Sequence, residues 1–195
     1  MINNYQNNIS YLVGVALGDG NLSNPNGRAV RLRITCDNKY PNIIKNIVKT
    51  IKKILPLNKV SLVKRTKNCT DISCYSNQLE NLLGWKALRG SKMQQKVKVP
   101  QWIKRNKTYT INCLRGLIET DGSIYMDRGY KMVNFVTYIP TLKTDFLRML
   151  KTIGFTYART YKYFQKGKVR YNIRISKNVS ELLSVIKAEK KNGKI

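Results

Sequence analysis

The sequence predicts an α+β protein made of two pseudo-symmetric copies of one unit, each ordered α-β-β-α-β-β-α, which meet at a central pair of helices. Three observations lead there. A nonapeptide plan occurs twice, 102 residues apart. The hydrophobic period after each copy switches between 3.6 and 2 in the same order. Finally, 42% of the 195 residues are hydrophobic, enough for one joined core.

The first copy reads Leu12-Val-Gly-Val-Ala-Leu-Gly-Asp19-Gly20 and the second Leu114-Arg-Gly-Leu-Ile-Glu-Thr-Asp121-Gly122. Both follow the plan apolar, any, Gly, apolar, apolar, any, small, Asp, Gly. On a helix, Gly14 and Gly18 are four apart and share a face, and Gly116 and Thr120 repeat that arrangement. Small residues at this spacing let two helix backbones approach closely, so each motif helix finds its natural partner in the other. Gly20 and Gly122 fall where a helix ends, and a left-handed cap, which glycine fills without steric cost, is expected at both.

Beyond the first motif, residues 29–36 alternate as a strand, and Ile43, Ile44, Ile47, Val48, Ile51, Ile54 and Leu55 recur at helical spacing. Segments 59–65 and 70–76 alternate again, and 78–83 read as a short amphipathic helix. Beyond the second motif come a strand at 131–138, a helix carrying Leu142, Phe146, Met149, Leu150 and Ile153, strands near 157–164 and 169–176, and a helix at 179–186. The stretch between the halves is long, basic and punctuated by Pro100 and Trp102, as a strap would be. The expected division is 1–85 for the first repeat, 86–110 for the connector and 111–195 for the second repeat.

Composition narrows the chemistry. The 37 Lys and Arg residues outnumber 10 Asp and Glu, and the resulting formal charge of +27 would repel itself unless a polyanion neutralised it. Nucleic acid is the partner this implies. There is no histidine, which excludes Ser-His-Asp and Cys-His nucleophiles, a histidine general base and a Cys₂His₂ zinc finger. Any nuclease here must use carboxylates, lysines, water and metal. Cys36, Cys69, Cys74 and Cys113 contain no C-x-x-C pair and read as reduced, mostly buried thiols. Residues 1–10 are polar and Asn-rich without the features of a signal peptide, and the longest apolar stretch, 11–17, is too short to span a bilayer. A soluble intracellular protein without a membrane partner is expected. Heavy use of Asn, Lys, Ile and Tyr suggests an AT-rich coding sequence, pointing to a mitochondrion, a chloroplast or a prokaryotic cytoplasm.

Each motif places an aspartate at the C-terminal end of a helix. The helix dipole disfavours a carboxylate there by about 0.3–1 kcal/mol, and packing two such ends together adds mutual repulsion. A cation between Asp19 and Asp121 relieves both costs. Mg²⁺ or Mn²⁺ suits carboxylates that leave room for water ligands. A lone Asp-Gly would simply read as a turn; two in matched register read as a site.

The two nonapeptides resemble the signature of the LAGLIDADG homing endonucleases, in their single-chain, two-motif form. The similarity covers nearly the whole chain, because the element order after each motif matches and Lys98-Val-Pro-Gln-Trp-Ile103 is similar to the family's inter-repeat connector. The resemblance implies a homing-endonuclease-like fold. Its motif helices would form the central interface, and each half would lay a saddle-shaped, four-stranded antiparallel sheet along the major groove of a long, near-palindromic double-stranded DNA target. It implies that Asp19 and Asp121 hold divalent metal over the minor groove and cut both strands, leaving 3′ overhangs, with the backbones of Gly18 and Thr120 adding carbonyl ligands. It also implies an assisting lysine after the third helix of each half. Lys92 matches in the first half, while Lys190, Lys191 and Lys194 all remain open in the second. The family's glutamine at the end of the second strand is replaced here by Cys36 and Tyr138. Glu119, standing where Leu17 stands in the first motif, reads as a helix-surface or interface residue, with a supporting role at the metal as the open alternative.

Alternation assigns the readers. In 29–36, Leu32 and Ile34 turn inward while Arg31, Arg33 and Thr35 turn outward. In 169–176, Tyr171, Ile173 and Ile175 turn inward while Arg170, Asn172 and Arg174 turn outward. Arginine suits guanine and asparagine suits adenine, whereas Lys64, Lys67, Lys162, Lys166 and Lys168 are placed on phosphates, and Arg65 joins the DNA-binding set. Tyr75 and Tyr161 stay open between reader and core. The expected function is a monomeric, metal-dependent, site-specific DNA endonuclease of a mobile intron or similar element. The alternative is a maturase on the same fold that binds its host intron RNA. A non-catalytic regulator would be expected to carry a helix-turn-helix module too, for which the residues after Ser184 are read as too few. A generic basic RNA binder explains the charge and not the duplicated motif.

Overall fold

Two sheets of identical strand order flank one pair of helices in the computed structural model, which describes residues 2–156, 158–165 and 167–190, with side chains from Asn4 onward. The first half comprises α1 (Ile2–Asp19), β1 (Gly20–Ser23), β2 (Arg31–Asp37), α2 (Pro41–Ile54), β3 (Val60–Lys64), β4 (Cys69–Tyr75) and α3 (Leu79–Leu83). After a short α4 (Gln101–Lys104), the second half repeats the order. It runs through α5 (Lys107–Thr120), β5 (Gly122–Asp127), β6 (Tyr130–Thr137), α6 (Pro140–Thr152), β7 (Ala158–Gln165), β8 (Lys168–Ile175) and α7 (Val179–Ile186). The sheets are ordered β1-β2-β4-β3 and β5-β6-β8-β7, with every neighbouring pair antiparallel.

Helix α1 includes the Asn-rich start of the chain. Ile9, Tyr11 and Leu12 are buried there, Ser10 Oγ bonds back to the Gln6 carbonyl at 2.7 Å, and Asn112 Nδ2 of α5 donates to Asn7 Oδ1 at 3.3 Å. Tertiary packing, not the modest helix propensity of asparagine, sustains this turn. Helix α5 opens on Asn106, whose side chain accepts from the Tyr109 N–H at 3.1 Å.

A first strand in each half, for which the periodicity supplies no segment, follows each motif directly as β1 and β5. On β2, Leu32, Ile34 and Cys36 are buried. They face the helices, as do their register partners Cys74, Ile72 and Thr70 on β4. The second sheet does the same with Val133 and Phe135 against Ile175 and Ile173. Phe135 stacks on Phe146 of α6 at 4.1 Å between ring centroids. One hydrophobic core runs through both halves. All four cysteines are free thiols, three of them buried. No helix among the described residues is long and apolar enough to cross a membrane.

The motif helices touch at backbone distance. A Cβ on Gly14 would overlap the Cys113 carbonyl, one on Gly18 would overlap the Thr120 side chain, and one on Gly116 would lie 2.6 Å from both the Tyr11 oxygen and the Val15 nitrogen. The left-handed caps expected at Gly20 and Gly122 are not formed, since neither is among the positive-φ residues. Glycine is needed there because of space. Each chain folds straight from helix into strand, and a Cβ would come 2.6 Å from the Ala16 oxygen at Gly20 and 2.5 Å from the Ile118 oxygen at Gly122.

Gly14→Ala therefore forces two backbones apart. It should lower the urea-unfolding free energy by about 3 kcal/mol or more. Gly129→Ala, with nothing within 4 Å of its Cβ, should cost about 1 kcal/mol for its left-handed backbone alone.

Candidate active site

Contacts along the central pair rise together, Tyr11 with Gly116 and Gly18 with Thr120, so α1 and α5 run the same way and end side by side. Asp19, the last residue of α1, and Asp121, the C-cap of α5, therefore meet at one tip. A methyl on Gly18 would lie 3.4 Å from Asp121 Oδ2, which places that carboxylate directly over the opposite helix end.

The tip divides into two clefts, each built from both halves. The first holds Asp19 with Cys36 and Asp37 from the end of β2, together with Thr120, Gly122 and Lys190 from the second half. The second holds Asp121 with Thr137 and Tyr138 from the end of β6, together with Gly18 and Lys92 from the first half. Ownership is crossed: each acid sits with the other half's helix-end backbone and lysine.

The lysines lie on helix-end carbonyls. Lys92 Nζ donates to Ala16 O at 3.1 Å, to Leu17 O at 2.7 Å and to Gly18 O. Lys190 Nζ donates to Thr120 O at 2.9 Å and Gly122 O at 2.5 Å, and lies 5.5 Å from the Tyr40 ring centre. Of the three second-half lysines left open, the structure brings Lys190 to the tip; Lys191 and Lys194 lie outside the described residues. These ammonium groups sit where the negative end of each dipole needs a cation.

Burial governs the electrostatics. It pushes Asp121 up to about 6, with repulsion from Asp19 adding to it and Lys92 and Lys190 opposing. Asp19 is also raised by burial, tempered by Lys190 and then Lys92. Burial holds Lys92 and Lys190 below the ordinary lysine value, although both aspartates pull each of them upward. Burial, and next the charge of Asp19, lifts the Cys36 thiol to about 12, so it stays neutral beside the acid.

Arg31, Arg33 and Thr35 share one face of the first sheet, and Arg170, Asn172 and Arg174 share the matching face of the second. Tyr75 pairs with Arg31 and Tyr161 with Asn172, so both tyrosines stand on these outer faces. Arg31 Nε donates to Ser23 Oγ at 3.2 Å. Lys67 is exposed in the turn after β3, and Lys166 lies outside the described residues. Lys64 and Lys162 are exposed but pair with the inward-facing Thr70 and Tyr171. By register they leave their edge strands on the helix side, away from the arginine rows; counting charge alone could not separate the two sides.

Four contributors escape the sequence reading. Asp71, 5% exposed on the outer face, accepts from Thr35 Oγ1 at 2.7 Å and from Arg65 Nε at 2.7 Å. Burial works against its charge, yet these bonds hold its pKa below the usual carboxylate range. Asp127 pairs with Arg174 in the second sheet. Gln165, at the end of β7, lines the Asp121 cleft and accepts from Tyr138 OH at 3.1 Å. Tyr40 lines the Asp19 cleft. Thr35 meets Asp71 through strand register, while Asp127 reaches Arg174 from a strand that is not its neighbour, and a single sequence reveals neither.

Comparisons with known proteins agree with this architecture. Residues 108–187 match the family model of a LAGLIDADG-like domain and residues 8–84 that of the WhiA LAGLIDADG-like domain. Among solved structures, a variant of the homing endonuclease I-DmoI in complex with its target DNA in the presence of Mg has a TM-score of 0.64 at 20% identity, covering 94% of this chain and 97% of that one. Mesophilic variants of I-DmoI give 0.63 at 18% identity, over 94% and 96% of the two chains. The N-terminal LAGLIDADG domain of DUF199/WhiA gives 0.60 at 12% identity, over 96% and 84%. No curated protein matches. With one LAGLIDADG match in each half, and the two motif helices paired down to their terminal carboxylates, the chain belongs to the LAGLIDADG family in its single-chain, two-motif form.

Proposed function

We propose that the protein is a monomeric, metal-dependent endonuclease that recognises a long, near-palindromic DNA site and hydrolyses one phosphodiester bond in each strand, leaving 3′ overhangs. The observation that carries this reading is the crossed pair of clefts, each with one carboxylate, helix-end carbonyls and one half-buried ammonium. Two such sets at one tip suit two scissile bonds. Similar solved structures include an I-DmoI variant with its target DNA and Mg and I-DmoI with DNA and Mn, which supports the same substrate and ion class here.

The donor set fits a hard divalent cation. Asp19, Asp121 and the carbonyls of Gly18 and Thr120 offer only oxygen, and a cation between the two carboxylates would offset the burial that raises both. Among the described residues no group of three or more His, Cys, Asp or Glu could cage a metal. That favours Mg²⁺ or Mn²⁺, which keep waters and share ligands with substrate phosphate. When bound, the ion would polarise the scissile phosphate and lower the pKa of a water. The residues then divide the work. Asp19 and Asp121 hold the positive charge at the tip, while Lys92 and Lys190 neutralise developing negative charge and can pass a proton to the leaving oxygen.

Recognition is assigned to the outer sheet faces. Arg170 Nε and Asn172 Oδ1 are withdrawn from solvent without a hydrogen-bond partner, which suits side chains that complete their bonding on base edges. Arg31, Arg33 and Thr35 would read the other half-site, while Asp71 and Asp127 hold Arg65 and Arg174 in place. The match of residues 8–84 to the WhiA LAGLIDADG-like domain rather than to an endonuclease model favours one second reading, a LAGLIDADG protein that does not cut DNA.

A cleavage selection from a randomised duplex library in Mg²⁺ separates these readings, because a non-cutting binder yields no cleaved product. With the selected site in hand, Asp19→Asn or Asp121→Asn should lower the cleavage rate at least 10³-fold while leaving the Kd for DNA within about threefold. Lys92→Met should slow cutting about 10²-fold. Unfolding of the metal-free protein gives a further check. With Asp121 raised to about 6, the folded state binds more protons than the unfolded chain between the ordinary carboxylate pKa and about 6. The Asp121 contribution to stability is therefore lost as pH rises through that window. Asp121→Asn should gain stability over the native protein progressively from pH 4 to 7, measured by urea midpoints in EDTA.

A further inference from the structure

The two tip lysines are held by unrelated means. The Lys92 loop braces itself locally: Gln94 Oε1 accepts from Ser91 N at 2.8 Å, Gln95 bonds to the Lys86 and Gly90 backbone, and Glu80 Oε1 accepts from Ala87 N at 2.8 Å. Among the described residues, the segment carrying Lys190 has no such loop. It leaves α7 at Lys187, a non-glycine residue with φ of 52°, and crosses the end of α5. There the Glu189 N–H donates to Glu119 Oε1 at 2.8 Å.

Glu119 is placed for this task. Its side chain has no exposure at all. One oxygen receives Arg115 Nε at 2.9 Å as well as the Glu189 amide, and the other accepts Tyr11 OH from α1 at 2.6 Å. Arg115 lies 5.4 Å from the Tyr11 ring centre and reaches Glu189 Oε1 at 3.7 Å. A carboxylate bonded by an arginine, a phenol and a backbone amide has little freedom to move. The amide it holds belongs to the residue directly before Lys190. Leu17, the counterpart in the first motif, can hold nothing in this way.

We propose that Glu119 is a positioning residue that clamps the C-terminal segment across the central helix pair and thereby delivers Lys190 to the Asp19 cleft. The inference rests on the endonuclease reading for its effect on cutting, and on geometry alone for its effect on Lys190. It predicts a strand asymmetry: loss of the clamp disables the Lys190 cleft and spares the Lys92 cleft.

The test uses the full chain without metal or DNA, acetylated by an amine-reactive ester and read by mass spectrometry. Lys190 should react at least tenfold slower than exposed Lys187. Glu119→Gln, and Glu189→Pro, which removes the donor N–H without altering the core, should each raise the Lys190 rate about tenfold and leave Lys92 unchanged. Unaltered Lys190 reactivity in the folded variants overturns the clamp; if Glu119→Gln does not fold, Glu189→Pro decides. Strand-resolved cleavage of the selected site then follows. Glu119→Gln should slow one strand at least tenfold, keep the other within twofold, accumulate nicked duplex, and add no further loss to Lys190→Met. Equal slowing of both strands, or additive loss, overturns the positioning role. If the native protein cuts nothing, the endonuclease reading fails while the acetylation result still settles the clamp.

Discussion

Backbone contact between two helices is the constraint from which the rest of this structure follows. Gly14, Gly18 and Gly116 let α1 and α5 approach until main-chain atoms touch, and because the helices run the same way their C-terminal ends coincide. Two dipoles then present their negative ends together, and two aspartates stand among them. Such a tip is unfavourable in isolation. The fold answers by bringing Lys92 and Lys190 onto the helix-end carbonyls from segments distant in sequence. Burial, with Asp19 adding to it, keeps the Asp121 carboxyl raised despite both lysines, a cost that the proposed divalent ion would offset.

The outer sheet faces follow the same economy of charge. In a chain with 37 basic residues and 10 acidic ones, a carboxylate on a basic surface relieves repulsion among the cations and fixes the ones it bonds. Asp71 ties Thr35 to Arg65, and Asp127 ties Arg174. Restraining a long cationic side chain before binding lowers the entropy lost when it meets its partner. Arg31, Arg33 and Arg170 have no carboxylate partner among the described residues, so each face mixes fixed and adaptable cations.

Much of this was legible in the sequence, because the features concerned are periodic or repeated. The paired motif announced the helix interface, the Ile43 to Leu55 pattern announced α2, and alternation assigned Leu32, Ile34, Ile173 and Ile175 to the core side. What escaped has physical reasons too. Strands β1 and β5 begin on a glycine and leave a motif helix without a turn residue, so no alternating run announces them. The glycines at 20 and 122 were recognisable as necessary, but the left-handed cap was the wrong reason, since crowding against the preceding helical turn leaves no trace in the sequence. Lys190 lies in a lysine-rich tail where nothing local distinguishes it. Lys64 and Lys162, read as phosphate contacts, stand by strand register on the opposite side of their sheets from the arginine rows.

The crossed clefts carry a consequence for how such a chain can change over time. Since every cleft borrows its carbonyls and ammonium from the opposite repeat, neither cleft is complete within one repeat. The sheets are under no such joint custody. Duplicated units of this kind are thus free to drift apart where they meet a partner molecule and bound to keep their close approach where they meet each other, as Gly14 with Gly116 and Asp19 with Asp121 do along the shared seam.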